Sequence, residues 1–189
     1  MQNGDMSELS SSQFPEVYAK LGIDTSDLGC IMLNLSTIPV TDMVVDSDES
    51  LYFSQFQEFV QGSPAEVKPH ITVLYGLLQH GSEIKDLVNA VLDDWDYPTH
   101  VNVESIGVFP GTEEDGTEYS CIVAHIAVTD ELLEGNKRLR LLPHIDTFPD
   151  YKPHMTLAYV KAEATSEWVE SLQTLVGQGI QVHGINYGK

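Results

Sequence analysis

Lys68-Pro69-His70-Ile71-Thr72-Val73-Leu74-Tyr75 and Lys152-Pro153-His154-Met155-Thr156-Leu157-Ala158-Tyr159 write one octapeptide twice. Lys, Pro, His, Thr and Tyr recur at identical offsets, and the three remaining positions exchange one apolar residue for another. Such agreement marks an internal duplication. Residues two apart on a strand share a face, so each copy sets a histidine beside a threonine hydroxyl. The same alternation sends Ile71, Val73 and Tyr75, and Met155, Leu157 and Tyr159, into the core. A pseudo-twofold axis relating the two strands would assemble one cleft with two imidazoles and two hydroxyls. That set suits proton transfer around a phosphate.

Outward from the repeats, each half reads strand, repeat strand, helix, strand. Strands are expected at Leu28 to Leu35, His70 to Tyr75, Val101 to Phe109, Tyr119 to Val128, the second repeat, and Ile180 to Tyr187. Helices are expected from an Ser82 cap to about Trp95, from Thr129 to Arg140, and from Thr165 or Ser166 to about Val176. Leu51 to Val60 also carries helical spacing, with Tyr52, Phe56, Phe59 and Val60 on one side. Asp42 to Ser50 and residues 110–116 read as loops. The fold class is therefore α+β: two pseudo-symmetric lobes, each an antiparallel sheet with flanking helices, around a central cleft. Residues 1–13 are expected to be a flexible tail, with 14–189 a single bilobal domain.

The charge balance narrows the partners. Nine basic against 29 acidic residues leave a net charge of −20, which repels long polyanions. Six of the nine cations lie in or near the repeats: Lys68, Lys137, Arg138, Arg140, Lys152 and Lys161. A locally positive cleft in a negative body favours a small phosphorylated ligand over a long nucleic acid. Cys30 and Cys121 each sit in an apolar run and read as buried free thiols. No apolar run reaches the roughly 20 residues that cross a bilayer, so no membrane is expected as a partner. The N-terminus lacks the basic-then-apolar order of a signal peptide, and a cytoplasmic location is expected.

With its two His-x-Thr motifs 84 residues apart on strands, the chain resembles the 2H phosphoesterase superfamily, which includes the 2′-5′ RNA ligase-like enzymes. The stretch Phe148 to Lys161, together with His70 to Gly76, is similar to phage-encoded members. Among these are anti-CBASS phosphodiesterases that destroy cyclic oligonucleotide immune signals. The resemblance implies a phosphodiesterase acting on small cyclic or 2′,5′-linked oligonucleotides, in the host cytoplasm if the gene is a phage gene. An enzyme for RNA 2′,3′-cyclic ends is the alternative. A nucleotide-sequestering or virion-associated binding domain is the alternative from another class.

The residues permit the chemistry on their own terms. Histidine, with an unperturbed pKa of about 6.5, can serve as acid or base near neutrality. His70 and His154 in opposite protonation states supply both roles, and Thr72 and Thr156 would hydrogen-bond the non-bridging phosphate oxygens. One His-x-Thr on a strand is usually inert; the repetition makes these two the catalytic candidates. No carboxylate stands at ligand spacing beside either histidine, so no metal or other cofactor is expected. Lys161 is a candidate phosphate contact. Trp95 and Tyr151 are candidates for stacking on a base, although Trp95 also reads as a helix-end core residue. Of the other histidines, His125 stands out because it alternates within an apolar strand.

Overall fold

Strand Gly29–Leu35 (β1) buries every second residue, Gly29, Ile31, Leu33 and Leu35, as a strand with one face on a core must. The computed structural model describes residues 20, 22, 24, 25, 27–38, 40, 50–52 (backbone only), 69–113, 115–146 and 148–188. After β1 come the short β2 (Ser50–Tyr52) and β3 (His70–Leu77), then helix α1 (Lys85–Val91), β4 (His100–Thr112) and β5 (Glu118–Ile126). Helix α2 (Asp130–Leu139), β6 (His154–Lys161), α3 (Thr165–Leu172) and β7 (Gly179–Gly188) follow, with short 3-10 turns at Ala162–Ala164 and Gln173–Leu175. All seven strands join one antiparallel sheet in the order β2-β6-β5-β4-β7-β1-β3.

The sheet is two half-sheets, and their registers superpose. In one, Asn34, Leu33, Met32, Ile31 and Cys30 of β1 face His70, Ile71, Thr72, Leu74 and Tyr75 of β3. In the other, His125, Ala124, Val123, Ile122 and Cys121 of β5 face His154, Met155, Thr156, Ala158 and Tyr159 of β6. Even the irregularity repeats, because Val73 and Leu157 are each the extra residue of a bulge. The strand ahead of each octapeptide therefore belongs to the duplication too, with Cys-Ile shared between Cys30-Ile31 and Cys121-Ile122.

The last strand of each half leaves its own half-sheet. β4 runs beside β5, and β7 runs beside β1. The half-sheets meet where His100, Val101 and Asn102 pair with Gln181, Ile180 and Gly179. Val101 opposite Ile180 marks the pseudo-twofold axis. Chain exchange of this kind makes the lobes one sheet, with a core that runs from Ile31 and Val73 through Val101 to Leu157 and Trp168.

Several sequence expectations need correction. The bulges overturn the core placement of the repeat tyrosines. An extra residue flips the alternation, so Val73 and Leu74 are both buried while Tyr75 emerges 38% exposed and Tyr159 is half-buried. Ser82 does not cap α1, which starts a turn later without a side-chain cap, and Leu87 of the expected buried stripe faces solvent. Thr165 does not cap α3. Its hydroxyl donates to the Ala162 carbonyl and sits 2.7 Å from Ser120 Oγ. Ser50, Leu51 and Tyr52 form a strand against β6 rather than a loop end and helix start. The rest of that expected helix, the tail at 1–13 and Lys68 lie outside the described residues. β4 continues through Pro110 to Thr112, because β7 pairs only with its first three residues and Pro110 there owes no ladder bond. Thr129 does cap α2, accepting from Leu132 N at 3.3 Å.

Candidate active site

Each repeat opens on a buried proline whose carbonyl anchors the strand before it. Pro69 O accepts from Leu35 N at 2.8 Å and Pro153 O from Ile126 N at 3.0 Å. Missing an N–H, proline gives up nothing at a strand's first residue, and its stiff ring sets the entry direction. His70 and Thr72 then point to one half-buried face, with Ile71 and Val73 on the other; His154 and Thr156 do the same opposite Met155 and Leu157.

Sheet order places β3 at one end and β6 one strand from the other, yet Cα atoms of the two strands come within 8 Å. Side chains between the lobes fasten this approach. Asn136 on α2 donates from Nδ2 to Val73 O at 2.7 Å, and the Tyr151 hydroxyl donates to Thr72 O at 3.2 Å. Ile145 N adds a bond to Gly76 O at 2.8 Å, and Leu78 N one to Pro143 O at 3.1 Å. The segment between α2 and β6 thus covers the free edge of β3, and the two His-x-Thr strands become neighbours.

The orientation of His154 is set by its own backbone. Nδ1 lies 3.2 Å from Lys152 O, and a carbonyl can only accept. Nδ1 therefore carries the proton in the neutral ring and Nε2 holds the lone pair that a general base needs. Lys161 shares this face, because the bulge at Leu157 puts His154, Thr156, Tyr159 and Lys161 on one side of β6. It lies about 16 Å along the strand from Thr156, at roughly 3.3 Å per residue.

Of the two stacking candidates, Trp95 takes the helix-end core place that its sequence position also allowed, and Tyr151 is half-buried. Trp95 is 8% exposed; its Nε1 donates to Glu131 O at 2.9 Å and its ring packs on Gly135, where a Cβ would collide. No base can stack on it, since the ring fills the seam between α1 and α2. Tyr151 packs against the core, and burial pushes its phenol above the ordinary value of 10.0. Its hydroxyl ties the lobes together. Exposed aromatic surface lies instead at Phe148, 66% exposed with its ring 6.2 Å from Tyr75, and at Phe109, 44% exposed with its ring 5.2 Å from His154.

Three of the six cations expected near the site are in ion pairs. Arg138 pairs with Glu134 at 2.7 Å and Arg140 with Asp146 at 3.0 Å, while Lys152 reaches Asp150 at 4.0 Å. Arg140 also donates to the Phe148 and Pro149 carbonyls, fixing the loop that carries Phe148. Neither cysteine is in a disulfide, and burial raises each thiol above the ordinary 9.0. The Thr156 and Tyr159 hydroxyls lie within reach of Cys121. Among the described residues no cluster of three His, Cys, Asp or Glu side chains has the spacing of a metal site.

Sequence reasoning left Phe109, Phe148 and Asn136 unremarked. Aromatics beside the repeats could have been noticed, but nothing local to Asn136 shows that it bonds a strand 63 residues away.

Residues 46–182, well over half of the 189, match the family model described as the 2'-5' RNA ligase superfamily. The chain belongs to that superfamily. The match takes in both octapeptides, and phosphodiesterase- or ligase-type chemistry is the activity the 2'-5' RNA ligase superfamily suggests. No curated protein matches the chain. No helix among the described residues is long and apolar enough to cross a membrane.

Proposed function

We propose that this protein is a metal-independent phosphodiesterase that cleaves small cyclic or 2′,5′-linked oligonucleotides, and that it serves a phage by removing cyclic nucleotide immune signals in the host cytoplasm. The observation that carries the reading is the equivalence of the two His-x-Thr strands in register, bulge and proline anchor. A site that needs one acid and one base is met by a fold that presents the same imidazole twice.

In the reaction, one imidazole takes the proton of the attacking hydroxyl, whether water or the ribose hydroxyl next to the linkage (2′-OH for a 3′,5′-linkage, 3′-OH for a 2′,5′-linkage). The nucleophile's oxygen forms a bond to phosphorus as the bond to the leaving oxygen breaks. The other imidazole, protonated, delivers its proton to that leaving oxygen. Thr72 and Thr156 donate to the non-bridging oxygens as charge builds there. General acid and base catalysis each contribute about 10²–10⁴-fold, so the pair supplies both proton transfers without a metal. Support for a small substrate comes from the −20 net charge and from the ion pairs that engage Arg138 and Arg140. Exposed aromatic rings at Phe109 and Phe148 suit nucleobases.

The test is cleavage by purified protein in EDTA. The panel holds 3′,3′- and 2′,3′-cyclic dinucleotides, a cyclic trinucleotide, 2′,5′-oligoadenylate and an RNA with a 2′,3′-cyclic end. Turnover of a cyclic or 2′,5′-linked oligonucleotide that the His70→Ala/His154→Ala double variant lacks is the expected result. Turnover of the RNA end alone would reassign the protein to RNA processing, and binding without turnover would make it a sequestering protein.

A further inference from the structure

We infer that His125 is a third substrate-contacting imidazole, which binds a second phosphodiester of the substrate on the β5–β6 side of the cleft. This rests on the phosphodiesterase reading above and extends it to the substrate's size. His125 and His154 are direct cross-strand partners, and residues so paired in an antiparallel ladder project from the same face a few ångströms apart. Phe109 establishes that shared face independently. Its ring meets His125 edge-on at 6.0 Å and His154 edge-on at 5.2 Å.

The neighbouring strand is shaped for this imidazole. Gly107 lies beneath it, and a Cβ there would collide with the His125 ring. His125 is half-buried, and among the described residues its nitrogens have no hydrogen-bond partner, although an imidazole offers a donor in either charge state.

Broken symmetry separates a ligand contact from a by-product of duplication. The pseudo-equivalent of His125 is Asn34, which faces His70 in the same register. The place of Gly107 is taken by Asn186, whose Nδ2 donates to Asn34 Oδ1 at 3.1 Å. On that side the polar groups satisfy each other; on the His125 side no hydrogen bond among the described residues takes up the ring nitrogens, of which Nε2 rests against Gly107. Of the two pseudo-equivalent positions, therefore, the one beside His154 offers a further anion contact to a substrate whose scissile phosphate lies between His70 and His154, and the one beside His70 does not. A molecule with a second phosphodiester, such as a cyclic dinucleotide, uses it, whereas a nucleoside 2′,3′-cyclic monophosphate has nothing to place there.

The experiment compares wild type with His125→Phe and His125→Asn on the oligonucleotide that wild type turns over best, and on a nucleoside 2′,3′-cyclic monophosphate. Phe keeps a flat ring over Gly107 against Phe109 but carries no nitrogen; Asn copies the other lobe. Both should raise KM for the oligonucleotide about tenfold, as loss of a hydrogen bond to a charged group does, with kcat within about twofold. KM for the monophosphate should not move. An unchanged oligonucleotide KM in folded His125→Phe overturns the inference, as does an equal loss on both substrates. Inactivity of wild type toward the oligonucleotides would instead sink the underlying reading and is distinguished by that control.

Discussion

The Tyr151 hydroxyl donates to the Thr72 carbonyl, 79 residues earlier, so the approach to the second repeat is bonded to the backbone of the first. With Asn136 on Val73 O, this gives the β3 edge side-chain partners where a strand would otherwise supply them. The two motifs are held in register with each other by groups that take no part in proton transfer.

Removing that hydroxyl should loosen the site more than the fold. Tyr151→Phe is expected to lose about 1 kcal/mol of stability, the net worth of an ordinary hydrogen bond, and to lower kcat several-fold. Denaturant melts and turnover on one preparation check both. Unchanged kcat would show that the lobes do not need this tie.

Asn136→Ala should cost more. The residue is buried, donates to Val73 O and accepts from Arg140 Nε at 3.0 Å, so truncation strands a buried carbonyl. A loss of about 1–3 kcal/mol is expected, read as a shift in urea midpoint.

His70→Ala and His154→Ala should each lower turnover by at least about 10²-fold while the far-ultraviolet spectrum and melting temperature stay near wild type. Retention of more than about a tenth of the wild-type rate in either would exclude a paired acid and base. The wild-type profile of kcat/KM against pH should be bell-shaped about neutrality.

Alkaline pH should weaken the fold. Burial raises Cys30, Cys121 and Tyr151 above their ordinary values of 9.0 and 10.0, so the native state keeps these protons to higher pH than the unfolded chain. Stability from this source is intact below the ordinary thiol value and declines as pH rises through it toward the raised native values. Urea midpoints measured from about pH 7.5 to 10.5 should fall at the upper end, and the Cys30→Ala/Cys121→Ala variant should fall less steeply.

Reading the repeats alone was enough to place His70, Thr72, His154 and Thr156 on strands with one polar and one core face, because a period of two is a local property. The same rule misplaced Tyr75. A bulge is a matter of how two strands count against each other, and Val73 looks like any other apolar residue until β1 is laid beside it. Trp95 was ambiguous for a similar reason. Its ring is withdrawn by Gly135 on another helix, which leaves room for it.

The sequence by itself determined the duplication, the strand faces and the pair of imidazoles, since each depends on residues near one another along the chain. Only the tertiary structure decided that β4 and β7 change partners about Val101 and Ile180, and that His125 stands beside His154 while Asn34 is taken up by Asn186. Those relationships join residues tens to more than a hundred positions apart. They are set by which backbone edges and buried surfaces find each other on folding, and no local pattern of side chains records that choice.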